Sequence, residues 1–272
     1  MRSFSGKKVF ITGGSSGIGK ACGRELLCAG ASVVLAARGV ERLEATVAEL
    51  NREAGENRCF ALPLDIADRE AVVREVPKVL ELLGGLDVLI NNAGIARPGY
   101  LQDIEDELFE EMMQVNYFGT VWVTRALLPH FTAQRSGHIC TVSSFAGLIG
   151  IFGYTAYAAS KAALIGFCDC LRQEMLAHNV GVSLVFPADT KTPQLEYEEQ
   201  FKPPETRAIA GNVKLLPPEQ VAREMLAGVA AGRYHILPGS STKFAHFMYR
   251  HFPWIVRWVM DSDLRKYQRR NA

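Results

Sequence analysis

The stretch that most constrains this chain lies near its start. Val9-Phe10-Ile11 is a short apolar run of the kind buried on both faces of a parallel sheet, and a helical pattern from Lys20 to Ala29 follows it. Between them stands Thr12-Gly13-Gly14-Ser15-Ser16-Gly17-Ile18-Gly19. Glycines at 13, 17 and 19 allow a tight turn, close backbone approach to a pyrophosphate, and close packing of helix on strand. The helix start offers free N–H groups and a positive dipole end to phosphate oxygens. Gly13, Ser15, Ser16, Gly17, Ile18 and Gly19 are therefore candidate cofactor contacts. A glycine loop alone is a weak signal. One set between a strand and a helix, at the head of an alternating β/α chain, is a strong one.

The alternation continues. A second strand, Ser32 to Ala37, ends at Arg38, where a dinucleotide fold meets the adenosine ribose. An acid there would bind a 2′-hydroxyl and repel a 2′-phosphate, but the chain has no carboxylate until Glu41. A guanidinium matches a phosphate in charge and geometry, so NADPH is expected over NADH. The alternative is a solvated arginine opening a helix. That helix, over 41–52, leads to a strand ending at Asp65, an acceptor for an adenine amino group. A helix over 68–83 carries Pro77 as a local irregularity, and the strand Asp87 to Ile90 stops at Asn91-Asn92-Ala93-Gly94. Asn92, Ala93 and Gly94 let a flat ring or ribose approach the backbone.

A long helix is expected over 105–131, with Asn116 inside it. Asparagine is a mediocre helix former whose side chain competes for backbone bonds, which suits a local disturbance that holds a water. The strand His138 to Val142 ends at Ser143-Ser144, on the edge where open parallel sheets bind ligands. Tyr157 and Lys161, four apart, project from one face of a helix. There the ammonium can hold down a phenol pKa of roughly 10, making a proton donor usable near neutrality. An ordinary helix with a half-buried tyrosine and a solvated lysine has the same spacing. What precedes the pair gives it meaning.

Taken together, Thr12-Gly13-x-x-x-Gly17-x-Gly19, Asn91-Asn92-Ala93-Gly94, Asn116, Ser144 and Tyr157-x-x-x-Lys161 resemble the short-chain dehydrogenase/reductase family, over roughly Lys7 to Ile236. The resemblance implies a Rossmann-type α/β fold, a doubly wound parallel sheet of about seven strands flanked by helices. It also implies a catalytic set of Asn116, Ser144, Tyr157 and Lys161. Ser144 is preferred to Ser143 because it lies thirteen residues before Tyr157, the usual family offset. Tyr157 and Lys161 would also touch the nicotinamide ribose, and dimers or tetramers built on the helices near Asn116 and Tyr157 are common in the family.

The sixth strand, Gly181 to Phe186, runs into Pro187-Ala188-Asp189-Thr190-Lys191-Thr192-Pro193. Most of the family has Pro-Gly here, so Ala188 must turn without a glycine's freedom. Pro187, Thr190 and Thr192 are candidate contacts with the carboxamide or phosphates. Gln194 to Leu215 is polar and is expected to be a mobile lid of about 190–215. Phe152 to Tyr157, Pro187 to Pro193 and Lys202 to Arg207 look like the 3-ketodihydrosphingosine reductases, where the Pro-x-Asp-Thr-x-Thr-Pro run replaces Pro-Gly. That narrower resemblance implies NADPH-dependent reduction of a long-chain amino ketone in sphingolipid synthesis. Reduction of another ketone (a 3-oxoacyl thioester, a steroid or a xenobiotic carbonyl) and a non-catalytic NADP(H)-sensing role are the alternatives.

Composition bounds the rest. A chain of 272 residues suits one large α/β domain, expected over 1–240, with an extension at 241–272. A net charge of +1 gives no reason to expect a nucleic-acid partner. Six cysteines without metal-ligand clustering read as reduced thiols of a cytosolic or cytosol-facing protein, with no metal site. Residues 1–8 lack an apolar signal core, and no stretch is long enough to span a bilayer. The extension crowds Phe244, Phe247, Trp254 and Trp258 among Arg250, Arg257, Arg265 and Arg269, with Pro253 expected to break it in two. Two readings stand for it: a peripheral helix at an anionic membrane surface, or a segment packed on the domain or a sister subunit.

Overall fold

A computed structural model describes residues 3–210 and 215–271. Seven strands form one parallel sheet: β1 (Lys8–Thr12), β2 (Ser32–Ala37), β3 (Cys59–Pro63), β4 (Val88–Asn91), β5 (His138–Val142), β6 (Gly181–Val185) and β7 (His235–Ile236). Their order is β3-β2-β1-β4-β5-β6-β7. The chain leaves β3 at one edge and re-enters at β4 beside β1, so the order reverses between these two central strands. A crevice opens there at their carboxyl ends.

Successive side chains of each strand point to opposite faces, and both faces are buried. Phe10, Val34, Leu89, Ile139 and Leu184 enter one core; Val9, Ile11, Val33, Ile90 and Cys140 enter the other. The register is continuous across the centre, with Phe10 opposite both Val34 and Leu89. That double burial is why the strands read as unbroken apolar runs.

The helices are α1 (Gly17–Cys28), α2 (Val40–Ala54), α3 (Arg69–Glu75), α4 (Lys78–Leu83), α5 (Asp106–Met113), α6 (Thr120–Gln134) and α7 (Phe145–Leu148). They continue as α8 (Thr155–Leu176), α9 (Pro193–Glu198), α10 (Pro204–Ala210), α11 (Pro218–Ala230), α12 (Ser240–His251) and α13 (Pro253–Asn271). Pro77 divides the expected 68–83 helix into α3 and α4, and Asp68 caps α3 by accepting from the N–H groups of Glu70 and Ala71.

Two expectations need correction. The single helix over 105–131 is α5 and α6 joined by a wider π turn, Gln114–Gly119, centred near Asn116. The lid is not a loop: its described part contains α9 and α10, while residues 211–214 of it lie outside the described residues. Thr192 caps α9 with Pro193 in its first turn, and Pro204 opens α10. Prolines at helix starts, where no N–H is needed, mark entries into helix here.

The expected break at Pro253 separates α12 from α13, and α13 lies against α10. Among the described residues, no helix is long and apolar enough to cross a membrane.

Candidate active site

The crevice begins at the glycine turn. Ser16 precedes α1 in extended backbone and makes no side-chain cap, and the first turn of α1 holds no acid. The first N–H groups of α1 are thus left without a side-chain partner, the arrangement that suits an anion. Gly13 has φ +69°, and a Cβ there would stand 2.8 Å from the Cα of Ala93. Gly17 has φ +54°, and its Cβ would meet the Thr192 methyl at 3.0 Å. A Cβ on buried Gly19 would collide with the Gly13 carbonyl oxygen.

Asn92 braces this turn. Its Nδ2 donates to the carbonyls of Thr12 and Gly13, both at 3.1 Å, while Thr12 Oγ1 accepts from the N–H groups of Asn92 and Ala93. Both side-chain donors of Asn92 are thereby spent within the protein. Arg38, at the end of β2, is 55% exposed and lies 4.0 Å from Asp65 and 3.8 Å from Glu111. Pairs so long and exposed contribute little, so the guanidinium is barely restrained. Asp65 Oδ1 accepts from the Ala67 N–H at 2.9 Å.

Deeper in, α8 carries Tyr157 and Lys161. Lys161 is buried; its ammonium donates to the Val142 carbonyl at 3.0 Å, and its own carbonyl accepts from Ser143 at 2.8 Å. Burial pushes the Lys161 ammonium down to about 8. Burial raises the Tyr157 phenol above its ordinary range, and a hydrogen bond with Ser144 opposes that rise. The expectation that Lys161 pulls the phenol down is not met here: Nζ lies 5.9 Å from the ring centroid and is engaged with Val142. Ser144 also caps α7, accepting from the Ala146 N–H at 3.1 Å.

Asn116 stands behind the crevice wall, fully buried. Its Oδ1 accepts from the Ile95 N–H at 2.8 Å, and its Nδ2 donates to the Ile95 carbonyl and to Ser160 Oγ, both at 2.9 Å. Its amide hydrogens therefore go to Ile95 and Ser160 and leave none for a water. Ser160 in turn donates to the Tyr157 carbonyl at 2.8 Å. A Cβ on Gly94 would come within 3.0 Å of both Asn116 Oδ1 and Lys161 Nζ, so this glycine keeps the floor open between them.

One cleft of about 1370 Å³ joins Gly13, Ser15, Ser16, Gly17, Ile18, Arg38, Asp65, Asn92, Ala93, Gly94, Ser144, Tyr157, Lys161, Pro187, Thr190 and Thr192. Gly19 and Asn116 are not on its surface. A pocket for one small ligand occupies roughly 300–1,000 Å³, so this cleft has room for two. Ala188 turns the chain at a φ outside the left-handed region, so the missing glycine causes no strain.

Several lining residues escaped the sequence reading. Tyr154, one residue before α8, donates to buried Glu198 at 2.8 Å, and Gln194 donates to the other oxygen at 3.1 Å. Asp189 and buried Lys202 line the same wall. Burial raises both the Glu198 and Asp189 carboxyls. Asp189 lies within the Pro187–Pro193 run, which was a usable signal. Lys202 opens the Lys202–Arg207 run and Tyr154 lies in the Phe152–Tyr157 run, both used for the resemblance, whereas Glu198 gave no signal because its segment reads as a loop. Helices α9 and α13 add the apolar side chains Leu195, Val256, Val259 and Met260 to the lining, together with Gln194 and Asp263.

A first-crossover glycine turn at the sheet's reversal point, feeding a crevice with a Tyr–Lys pair at its floor, is what short-chain dehydrogenases build. The chain belongs to that family, whose short chain dehydrogenase model matches residues 7–202, and it is an oxidoreductase by class. The 3-ketodihydrosphingosine reductase of Bos taurus is 37% identical, over 86% of this chain and 72% of the relative. The 3-dehydrosphinganine reductase of Danio rerio is 38% identical, over 85% of this chain and 70% of the relative. A short-chain dehydrogenase/reductase from Burkholderia phymatum in complex with NAD superposes with a TM-score of 0.79 at 26% identity, over 92% of this chain and 96% of that one.

Proposed function

We propose that the chain is an NADPH-dependent reductase of 3-ketodihydrosphingosine, converting the keto group of this long-chain amino ketone to a hydroxyl. The observation that carries the reading is the half-buried Tyr157 phenol hydrogen-bonded with Ser144, in a cleft that apolar side chains of α9 and α13 also line. NADPH, when bound, supplies the hydride to the carbonyl carbon. Ser144 and Tyr157 donate hydrogen bonds to the carbonyl oxygen, where negative charge grows. Tyr157 then gives that oxygen its proton as general acid. A phenol held above its usual range is in the donor form throughout the neutral region, which suits reduction. Lys161 keeps a positive charge beneath the reacting groups below about pH 8. Asn116 and Ser160 hold the backbone around Gly94 and Tyr157 in place.

The residues fit such a cofactor. The bare start of α1, the glycine turn that any Cβ would crowd and the floor kept open by Gly94 all border the one cleft and suit a phosphate-bearing dinucleotide. Arg38, with Arg42 also lining the cleft, supports a 2′-phosphate. The names of the bovine and zebrafish relatives support the sphingoid ketone. The test is NADPH oxidation by the purified chain with 3-ketodihydrosphingosine, a 3-oxoacyl thioester and a steroid ketone. Turnover concentrated on the sphingoid ketone is expected; turnover confined to the thioester or the steroid would reassign the substrate.

The same reading includes peripheral contact with an anionic, cytosol-facing membrane. Phe244, Phe247, Trp254 and Trp258 are more than half exposed on α12 and α13. Residues 240–271 carry seven of the chain's 30 Lys and Arg but two of its 29 Asp and Glu. Aromatic side chains among cations suit the headgroup region. Deleting 243–272 should abolish co-sedimentation with phosphatidylserine vesicles; retained binding would remove this part of the reading.

A further inference from the structure

The acidic wall beside Tyr157 has no task in the reaction as described. Glu198 is buried and is held by Tyr154 and Gln194. Tyr154 in turn meets Tyr157 edge-on, with ring centroids 5.8 Å apart, so Glu198 stands one tyrosine away from the proton donor. Asp189 is half-buried on the same wall, between strand β6 and helix α9. Lys202 and Glu199 act on it by charge, and among the described residues its carboxylate takes no hydrogen bond, while its backbone carbonyl accepts from the Leu216 N–H at 2.9 Å.

Among the described residues, Lys202 offsets part of this charge on both acids, but neither it nor Arg97 hydrogen-bonds to them. Lys202 pairs with Glu199, and Arg97 stacks over the Phe201 ring at 4.3 Å. A carboxylate drawn out of water without a hydrogen-bonded partner is costly, and a ligand that brings a cation recovers that cost. A neutral ligand does not. Such a wall selects for charge next to the reacting carbon.

We propose that Asp189 and Glu198 form the subsite for the ammonium group borne by the carbon next to the substrate's carbonyl. The inference rests on the sphingoid-ketone reading above and sharpens it. With the carbonyl oxygen on Tyr157 and Ser144, the neighbouring ammonium faces the acidic wall, and the alkyl chain leaves towards α9 and α13. Asp189 is the specificity-determining member, since among the described residues its carboxylate oxygens take no hydrogen bond while both oxygens of Glu198 do. Glu198 adds charge and holds Tyr154 against Tyr157.

The experiment compares 3-ketodihydrosphingosine with a ketone of the same chain length lacking the amine, for the full chain and for Asp189→Asn. Asp189→Asn loses no side-chain hydrogen bond among the described residues, and Glu198→Gln is the second variant. Wild type should favour the amino ketone in kcat/KM by about tenfold or more, the worth of one charge-assisted hydrogen bond. Asp189→Asn should raise KM for the amino ketone by a similar factor while changing kcat little, and so shrink the preference. A long-chain primary amine should also inhibit wild type more strongly than the alcohol of equal length, with the gap closing in Asp189→Asn.

Equal kcat/KM for the two ketones in wild type would overturn the subsite and leave the reductase standing. An equal loss on both ketones in both variants would make the acids structural and also overturn it. Turnover of neither ketone by wild type would remove the functional reading and the subsite together.

Discussion

The two halves of the cleft are built differently. The half proposed for the cofactor is made of strand ends and backbone: the Gly13–Gly19 turn, the Asn92 brace and the Gly94 floor, fixed by main-chain geometry and bonds of about 3 Å. The half proposed for the substrate is made of side chains from α9, α10 and α13, which reach it from outside the sheet. A half made of backbone tolerates few residue types and is written in the sequence as spacing. A half made of side chains tolerates many and is written as almost nothing. The difference teaches where this chain holds its chemistry rigid and where it leaves selectivity adjustable.

The comparison can be broken most severely at its boundary. Tyr157→Phe removes the proton donor and should lower kcat about 10²–10⁴-fold while cofactor affinity, measured by nucleotide fluorescence, stays near wild type. Loss of both together would mean that the tyrosine holds the two halves in register. On the cofactor side, Arg38→Asp should shift the NADPH/NADH preference about 10–100-fold towards NADH, the range of one or two charged hydrogen bonds. KM for the ketone should not move. An unchanged cofactor ratio would take Arg38 out of the site.

On the substrate side, Val259→Trp narrows the apolar end and should favour ketones shorter by a few methylenes, each worth about 0.8 kcal/mol of burial. Its KM for NADPH should be unaltered; a change there would dissolve the division between halves.

The smallest effect is with pH. Lys161 has a folded-state value of about 8, below its ordinary value of 10.5, so its proton leaves as pH rises through about 8. The value of kcat/KM for reduction, which reports the free enzyme, should therefore fall over that range. Stability runs the other way: the buried ammonium costs stability below about pH 8, and the cost eases as pH climbs towards 10.5. A profile flat from pH 7 to pH 10 would rule out Lys161 as the titrating group.

Much of this was legible beforehand, for a physical reason. A parallel strand must be apolar on both faces, so Val9-Phe10-Ile11 and His138 to Val142 announce themselves, and the glycines between them have few substitutes. Asn116 was legible as a disturbance in a helix but not as a partner of Ser160, since the bond spans 44 residues of sequence. The lid misled because Gln194 to Leu215 is polar and proline-bearing, and short helices covering a cleft need only one apolar side. Glu198 was hidden for the same reason. Its burial depends on Tyr154 arriving from another element.

The π turn at Gln114–Gly119 has a consequence beyond the site it helps to shape. A helix is a screw thread, and each residue added to or taken from it rotates everything downstream by about 100°. Val123, Leu127 and Phe131 meet the core only because the thread is offset before α6 begins. Rewinding 114–119 as a regular helix of the same length would turn those three side chains away from the sheet, whereas deleting one residue there would remove the wide turn and leave them facing it. The widened turn and the packing of α6 are thus a single reading frame, and at this length the chain cannot lose one while keeping the other.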